Sequence, residues 1–168
     1  MTSEQGHTSG IDPIDPSHYR SVLGHFATGV TIVTAMTPRG PVGFTCQSFS
    51  ALSLDPPLIW IAPGATSSTW PLIADTGAFT VNVLGSDHEP LARSFGQSGA
   101  DKFAGVGYDL GISGAPRLHG VLAHIDCTLQ SATQAGDHFS VVGAVVGLSA
   151  SNGAPLLFFR GGFGQFSQ

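Results

Sequence analysis

The apolar residues near the start of the chain recur at the spacing of an amphipathic helix. Asp15 and Pro16 stand in the order expected of an N-cap followed by proline at the first helical position. The apolar residues that then follow at helical spacing are Tyr19, Val22, Leu23 and Phe26. We therefore predict a helix that begins after Asp15 and ends at Gly29, a natural C-terminal stop.

After this helix the pattern changes to that of β-strands. β-branched or alternating runs bounded by turn residues predict strands at residues 30–36, 41–49, 57–62 and 79–84. Thr37 to Gly40 has the composition of a turn between the first two of these strands. Short helices are predicted to start near Ser68 and Asp87, each opened by a capping residue.

The second half of the chain predicts a long hairpin and a last strand. Residues 121–131 alternate between polar and apolar side chains, residues 134–137 form the turn, and residues 139–148 run back. Residues 155–160 are the last predicted strand. Strands dominate, and the 23 glycines suit many turns and bends. We therefore predict a mainly β fold, a small antiparallel barrel with a few flanking helices.

Length and composition favour one domain that associates with a second copy. The 168 residues, 42% of them hydrophobic, are enough for one buried core and few for two. No repeat or linker divides residues 15–168, so we predict a single domain after a disordered polar tail at residues 1–14. Only 10% of the residues are charged, against about 25% in an average protein. So few charges cover a monomer's surface poorly, which predicts a homodimer.

The charge and the cysteines exclude several partner classes. A formal net charge of −5 and six scattered Lys and Arg residues argue against nucleic acid. Cys46 and Cys127 fit no zinc-binding spacing. Because no signal peptide and no long apolar run is present, we expect a cytoplasmic protein that does not enter a membrane.

The most informative stretch is Gly43 to Pro57, GFTCQSFSALSLDPP. It alternates hydroxyl or amide side chains with apolar ones and carries no charge before Asp55. Its polar residues are Thr45, Gln47, Ser48, Ser50 and Ser53. A segment of this kind suits a wall that offers uncharged hydrogen-bond donors and acceptors to a flat ligand.

A second polar cluster, Thr66, Ser67, Ser68 and Thr69, precedes a predicted helix. Its hydroxyl and N–H groups suit a phosphate, although an ordinary N-cap in a Ser/Thr-rich loop explains the same residues.

The usual catalytic and metal motifs are absent. The chain has no GxGxxG after a strand, no P-loop, no GxSxG and no HExxH. Nothing marks a Ser-His-Asp triad. The seven histidines have no spacing typical of a metal site apart from His18 and His25 on one helix, so we predict no metal site.

The ordered set FATGVTIVTA, PVGFTCQSFSALSLDPPLIW, TSSTW, FTVNVL, DKFAG, GDHFSVVGAVVGL and PLLFFRG resembles the short-chain flavin reductase family. These proteins are reductase components of two-component flavin-dependent monooxygenases. The resemblance covers residues 15–163 and is closest to reductases that serve aromatic-ring and steroid-ring hydroxylases. It implies a Greek-key-like, FMN-binding split barrel, a homodimer, and reduction of FMN or FAD by NADH or NADPH for a partner monooxygenase.

The resemblance also implies a set of site residues. Thr45, Cys46, Gln47, Ser48, Phe49 and Ser50 would line the flavin ring. Ser53 and the cluster Thr66, Ser67, Ser68 and Thr69 would reach the ribityl chain and phosphate. Asn82 would approach the flavin, Lys102 and Phe103 would cover the site, and His138 would contact the nicotinamide as the catalytic residue.

Several of these residues also have a simpler interpretation. Asn82 would be a satisfied polar residue in a strand, Cys46 a small core residue, and Lys102 a solvated charge. Asp137 and His138 would be ordinary residues of a hairpin turn. Few basic residues are available to meet a 2′-phosphate, which favours NADH. The competing functions are a non-catalytic flavin carrier or sensor, and a pyridoxamine-phosphate-oxidase-like enzyme that retains its FMN.

Overall fold

A computed structural model describes residues 13–99 and 101–166 of the chain. The predicted tail at residues 1–14 lies almost entirely outside these residues. None of the helices in the two described ranges is long and apolar enough to cross a membrane.

The first helix, α1, spans Pro16–Leu23, and its start is confirmed. Asp15 caps it: one carboxylate oxygen accepts hydrogen bonds from the N–H groups of Ser17 and His18, both at 2.9 Å. The predicted end at Gly29 is wrong. The N–H of Gly24 bonds to the carbonyl of Arg20 and closes the helix there, because glycine is a poor helix former.

Strands are the most common elements of the described chain. The strands of the first half are β1 (Thr28–Gly29), β2 (Thr31–Thr37), β3 (Gly40–Cys46), β4 (Ser50–Leu54), β5 (Pro57–Ile61) and β6 (Ala78–Val83). Those of the second half are β7 (Tyr108–Leu110), β8 (Pro116–Leu118), β9 (Ala123–Ala135), β10 (His138–Ala150), β11 (Leu156–Phe159) and β12 (Gly162–Gln165). Two further helices, α2 (Trp70–Thr76) and α3 (Glu89–Gly96), complete the fold.

Seven of these strands form one antiparallel sheet in the order β3-β2-β6-β9-β10-β5-β4. Its inner face holds the barrel core, a buried cluster that includes Cys46 of β3 together with Ile59 and Ile61 of β5. Because β3 and β5 lie near opposite edges of the sheet, their side chains meet only if the sheet curls round. Helix α2 adds Trp70 and Ile73 to the same cluster. The mainly β, split-barrel class is thereby confirmed.

A second core covers the outer face of β2 and carries the site. Ile32 of β2 packs there with Phe95 of α3, Leu118 of β8 and Leu156 of β11. Strands β1, β11 and β12 form a separate three-stranded sheet beside it. This packing holds α3 against β3 and places the last hairpin beside α3.

Most predicted strands are confirmed, but the long second one is wrong beyond Cys46. The chain leaves the sheet at Gln47 and re-enters as β4 at Ser50. Ser48 explains the break, because its hydroxyl accepts from the N–H of Ala62 at 2.8 Å and donates to the Ala62 carbonyl at 3.1 Å. The Ser48 side chain thus satisfies backbone groups of Ala62 that would otherwise bond to the backbone of a neighbouring strand, so β3 ends here.

Candidate functional site

Two neighbouring cavities lie between the end of β3, helix α3 and the loop after β5. The larger has a volume of about 780 Å³ and the smaller about 460 Å³. Both fall within the range of roughly 300–1,000 Å³ typical of small-molecule sites. The residues common to both walls are Phe44, Thr45, Ser67, Gly96 and Gln97. The cavities therefore adjoin one another around Thr45 and the end of α3.

The end of β3 and the two residues after it form one wall of the larger cavity. The Thr45 hydroxyl donates to the carbonyl of Ala92 in α3 at 2.6 Å, and Ser48 is tied to Ala62 as described above. These two hydroxyls fix the strand end to its neighbours. Gln47 lies between them on the same wall and is exposed, and its side-chain amide has no hydrogen bond to the described residues.

Cys46 belongs both to the wall and to the barrel core. Its sulfur lies 3.2 Å from the Ser48 hydroxyl, and the residue is 4% exposed. Burial raises the pKa of the Cys46 thiol. Cys46 is therefore a neutral, largely buried thiol at neutral pH.

The hydroxyl cluster at residues 66–69 divides into two roles. Ser67 accepts from the N–H groups of Thr69 at 3.3 Å and Trp70 at 3.1 Å and so stabilises the start of α2. Thr66, Ser68 and Thr69 line the smaller cavity, and their hydroxyls make no hydrogen bond to the described residues. One member of the cluster is thus a structural cap, and three remain available to a ligand.

His138 enters the larger cavity from the start of β10. Its Nδ1 lies 2.7 Å from a carboxylate oxygen of Asp137. A carboxylate only accepts, so Nδ1 donates this hydrogen bond and Nε2 is left for another partner. This hydrogen bond and the charge of His138 lower the pKa of Asp137.

The loop after β5 holds His138 in place. The N–H of Ala65 bonds to the Asp137 carbonyl at 2.8 Å, and that of Phe139 bonds to the Pro63 carbonyl at 2.9 Å. A Cβ added at Gly64 would lie 4.0 Å from His138 Nε2 and meet no other atom within that distance. The cavity wall beside the imidazole is therefore bare backbone.

Lys102 and Phe103 line the smaller cavity and also hold the structure together. The Lys102 ammonium donates to the carbonyls of Phe95 at 2.9 Å and Gly43 at 3.2 Å. Burial lowers the pKa of Lys102. The Phe103 ring packs edge-on against Phe95 with centroids 5.0 Å apart. Lys102 therefore links α3 to β3 at the edge of the cavity.

The structure does not bring four predicted residues to either cavity. Phe49 packs against the barrel core, and Ser50 and Ser53 lie on β4, beyond the break at Ser48. Asn82 is fully buried and its side chain is satisfied within the protein: it donates to the Ile32 carbonyl and Thr34 hydroxyl, both at 3.0 Å, and accepts from the Leu118 N–H at 2.8 Å. The interpretation of Asn82 as a ligand-facing residue is corrected to a structural one.

Three cavity residues, Arg93, Gln97 and Phe158, were not among those predicted from the sequence. Phe163 of the C-terminal segment also lines the larger cavity. Arg93 lies four residues after Glu89 on α3, a spacing that pairs two side chains on one helical face. That signal was visible in the sequence, whereas the approach of the last hairpin depends on tertiary packing. No group of three or more potential metal ligands occurs in residues 13–99 and 101–166.

Comparison with known proteins gives one consistent family. Residues 23–167 match the family model described as a flavin reductase like domain. The chain is 48% identical over 151 residues to the reductase subunit HsaB of a flavin-dependent monooxygenase from Rhodococcus jostii, covering 89% of this chain and 77% of that protein.

Solved structures agree with this result. Nitrilotriacetate monooxygenase component B from Mycobacterium thermoresistibile superposes with a TM-score of 0.87 at 45% identity, over 90% of this chain and 86% of that one. The NADH:FAD oxidoreductase SgcE6 of Streptomyces globisporus, solved in complex with NAD and FAD fragments, gives a TM-score of 0.86 at 34% identity, over 94% and 98% of the two chains.

Proposed function

The chain is a member of the flavin reductase-like domain family, and we propose that it reduces FMN or FAD with NADH or NADPH and supplies the reduced flavin to a partner monooxygenase. Its relatives include a monooxygenase reductase subunit and an NADH:FAD oxidoreductase. One structural observation carries the proposal. The uncharged segment Thr45 to Ser48 and the imidazole of His138 line the same cavity.

The walls of the larger cavity fit a flat ligand rich in hydrogen-bonding groups. Gly64 and Gly96 present bare backbone, since a Cβ at either position would have a single atom within 4 Å, at 4.0 Å. Gln47 and Gln97 have side-chain amides that the described residues do not engage. Val30, Phe44 and Phe158 supply apolar surface. We assign this cavity to the flavin ring and the nicotinamide.

The smaller cavity fits the ribityl and phosphate end of a flavin. Thr66, Ser68 and Thr69 offer three free hydroxyls there. Hydroxyl and backbone N–H groups bind phosphate well, and the partly buried Lys102 ammonium adds positive charge nearby. The two cavities adjoin, so one extended ligand can occupy both.

The bound nicotinamide and flavin supply the chemistry, the transfer of a hydride from nicotinamide C4 to flavin N5. The protein's task is to hold two flat rings at about 3–3.5 Å in register. Asp137 fixes the imidazole of His138 through Nδ1, which leaves Nε2 to orient the nicotinamide. No acid or base is required for this step, in keeping with a wall of hydroxyls and amides.

The contacts proposed for the flavin favour its release after reduction. They are uncharged hydrogen bonds and apolar contacts, apart from Lys102, whose ammonium already donates to two carbonyls. Net contributions of such neutral hydrogen bonds are about 0.5–1.5 kcal/mol each. Reduced flavin can therefore leave for the oxygenase.

We further propose that the enzyme is a homodimer built partly on α1. This helix buries none of its residues within one chain. Tyr19, Val22 and Leu23 on it are each about half exposed, and Phe26 just beyond it is 78% exposed. A second copy of the chain would cover this apolar face.

A steady-state assay tests the enzymatic proposal. Purified protein is mixed with NADH or NADPH and an excess of FMN or FAD, and the loss of nicotinamide absorbance is followed. We expect turnover with at least one pair, more efficient with NADH than with NADPH. Absence of turnover with every pair contradicts the proposal and favours a flavin carrier.

A further inference from the structure

Arg93 is the one permanently charged side chain among the described residues that line the larger cavity. We propose that Arg93 binds a phosphate group of the nicotinamide nucleotide, and that Glu89 sets the strength of that contact. The inference rests on the proposed function, because it assigns part of the same cavity to the nucleotide's phosphates.

The guanidinium group of Arg93 is held on two sides. Its Nε and Nη2 donate to one carboxylate oxygen of Glu89, at 2.9 and 2.7 Å. Its central carbon lies 4.8 Å from the centroid of the Phe163 ring on β12, a cation–π distance. Nη1 has no hydrogen-bond partner among the described residues. The group is thus oriented in advance and retains free donors at the cavity.

The guanidinium group of Arg93 is better suited to bind phosphate than the other cationic side chains near the cavities are. Arginine presents a planar set of donors that matches phosphate oxygens and keeps its charge at all relevant pH values. Lys102 already donates to two backbone carbonyls at the smaller cavity. The hydroxyls of Thr66, Ser68 and Thr69 serve a phosphate there, which leaves Arg93, on the same cavity as His138, for the nicotinamide nucleotide.

Glu89 weakens the attraction without being needed for the fold. The side chains of Arg93 and Glu89 are 61% and 43% exposed, and exposed pairs of this kind contribute little to stability. The carboxylate neutralises most of the local charge and does not line the cavity. A nucleotide with an additional 2′-phosphate therefore gains little from Arg93, which is consistent with a preference for NADH.

The test compares hydride donors that differ in phosphate content, in wild-type protein and in Arg93→Gln. The donors are 1-benzyl-1,4-dihydronicotinamide, which has no phosphate, reduced nicotinamide mononucleotide, NADH and NADPH. A lost charge-assisted hydrogen bond should lower kcat/KM for NADH, relative to the phosphate-free donor, roughly tenfold. Arg39→Gln is the matched control, because Arg39 is exposed in the β2–β3 turn and lines neither cavity; it removes the same charge and should leave the ratio unchanged.

A second variant tests the role of Glu89. Glu89→Gln keeps a hydrogen-bond acceptor and removes the negative charge, so kcat/KM for NADPH relative to NADH should rise severalfold. The same variants are assayed with riboflavin, FMN and FAD as acceptors. A loss in Arg93→Gln that follows the phosphate content of the flavin overturns the assignment to the nicotinamide nucleotide.

The remaining outcomes separate the two proposals. An equal loss with all four donors, or no change beyond the Arg39→Gln control, contradicts a phosphate contact while leaving the reductase function intact. Wild-type protein that turns over none of the donors contradicts the proposed function itself.

Discussion

His138 combines an exposed position with a fixed orientation, which is what a residue that positions a substrate requires. Its side chain is 51% exposed, and Asp137 and the backbone of residues 63–65 hold it at the cavity. His138→Ala should therefore lower kcat/KM for NADH about tenfold and change the flavin dissociation constant little. His119→Ala is the matched control, since His119 is also exposed and paired with an aspartate, Asp109, at 3.1 Å. Equal losses of NADH use and flavin binding would remove the proposed role.

Asp126 of β9 is a buried charged residue. The alternation of residues 121–131 predicts that it lies on the polar face of its strand. It is fully buried and accepts from Thr80 at 2.5 Å, from the Ile112 N–H at 3.2 Å and from Arg117. Burial alone would raise the pKa of Asp126, but the hydrogen bonds from Arg117 and Thr80 and the charge of Arg117 outweigh it and lower the pKa. The network joins β6 and β9 to the segment before β8.

Removing this charge should destabilise the protein in a pH-dependent way. Asp126→Asn leaves Arg117 without its partner and should cost about 3 kcal/mol in urea unfolding at neutral pH. Because the pKa is lower in the folded state, the pair's contribution is complete above the unfolded-state pKa of about 3.9 and is lost as the pH falls through the folded value. The variant should therefore lose less stability on acidification than wild type. Asp109→Asn, on an exposed aspartate, should behave like wild type; a similar loss in both variants would contradict this account.

At the level of elements, local patterns identified the strands well and their ends poorly. The runs at residues 30–36, 57–62 and 79–84 became β2, β5 and β6, because β-branched alternation is a local property. The strand after residue 40 stopped at Cys46, since the Ser48 hydroxyl bonds to Ala62, a residue that no local pattern links to it. The interpretation of Asn82 as a ligand-facing residue was wrong for the same reason, because its hydrogen-bond partners lie on β2 and β8, which no local pattern links to it.

The candidate site also contains some residues that the sequence identifies and others that only the tertiary fold brings to the cavity. Thr45, Gln47 and Ser48 were identifiable because their polarity interrupts an apolar strand. The place of Arg93 at the cavity was not, because it depends on the packing of α3 on the second core, and the sequence shows only the spacing of Arg93 from Glu89.

The barrel core leaves no room for an added methyl group at the middle of β10. A Cβ at Gly143 would lie 2.7 Å from Phe79 Cζ and 3.2 Å from Cys127 Cβ. Gly143→Ala should therefore lower the free energy of unfolding by about 1–3 kcal/mol, measured by urea titration. Gly29→Ala is the control, because a Cβ there meets nothing within 4 Å. Equal stability of the two variants would show that the core can adjust.

At the scale of the whole molecule, the proposed homodimer accounts for both the low charge content and the unburied apolar face of α1. In that dimer a second copy would cover apolar surface that a chain with 10% charged residues leaves exposed. Light scattering after gel filtration should give twice the chain mass of 17.2 kDa. Leu23→Glu should shift the protein toward monomer, whereas Ser151→Glu, at an exposed position outside α1, should not. A wild-type monomer at micromolar concentration would contradict the proposed interface.

The central claim is that flavin enters the paired cavities, is reduced there and leaves. Anaerobic mixing of protein with excess NADH and a large molar excess of the preferred flavin tests this claim directly, with the visible absorbance of oxidised flavin as the readout and a protein-free mixture as the control. We predict that many flavin molecules are bleached per protein chain without oxygen, because reduced flavin dissociates and oxidised flavin replaces it. Bleaching that stops at one flavin per chain, or that fails to exceed the protein-free control, would contradict the account.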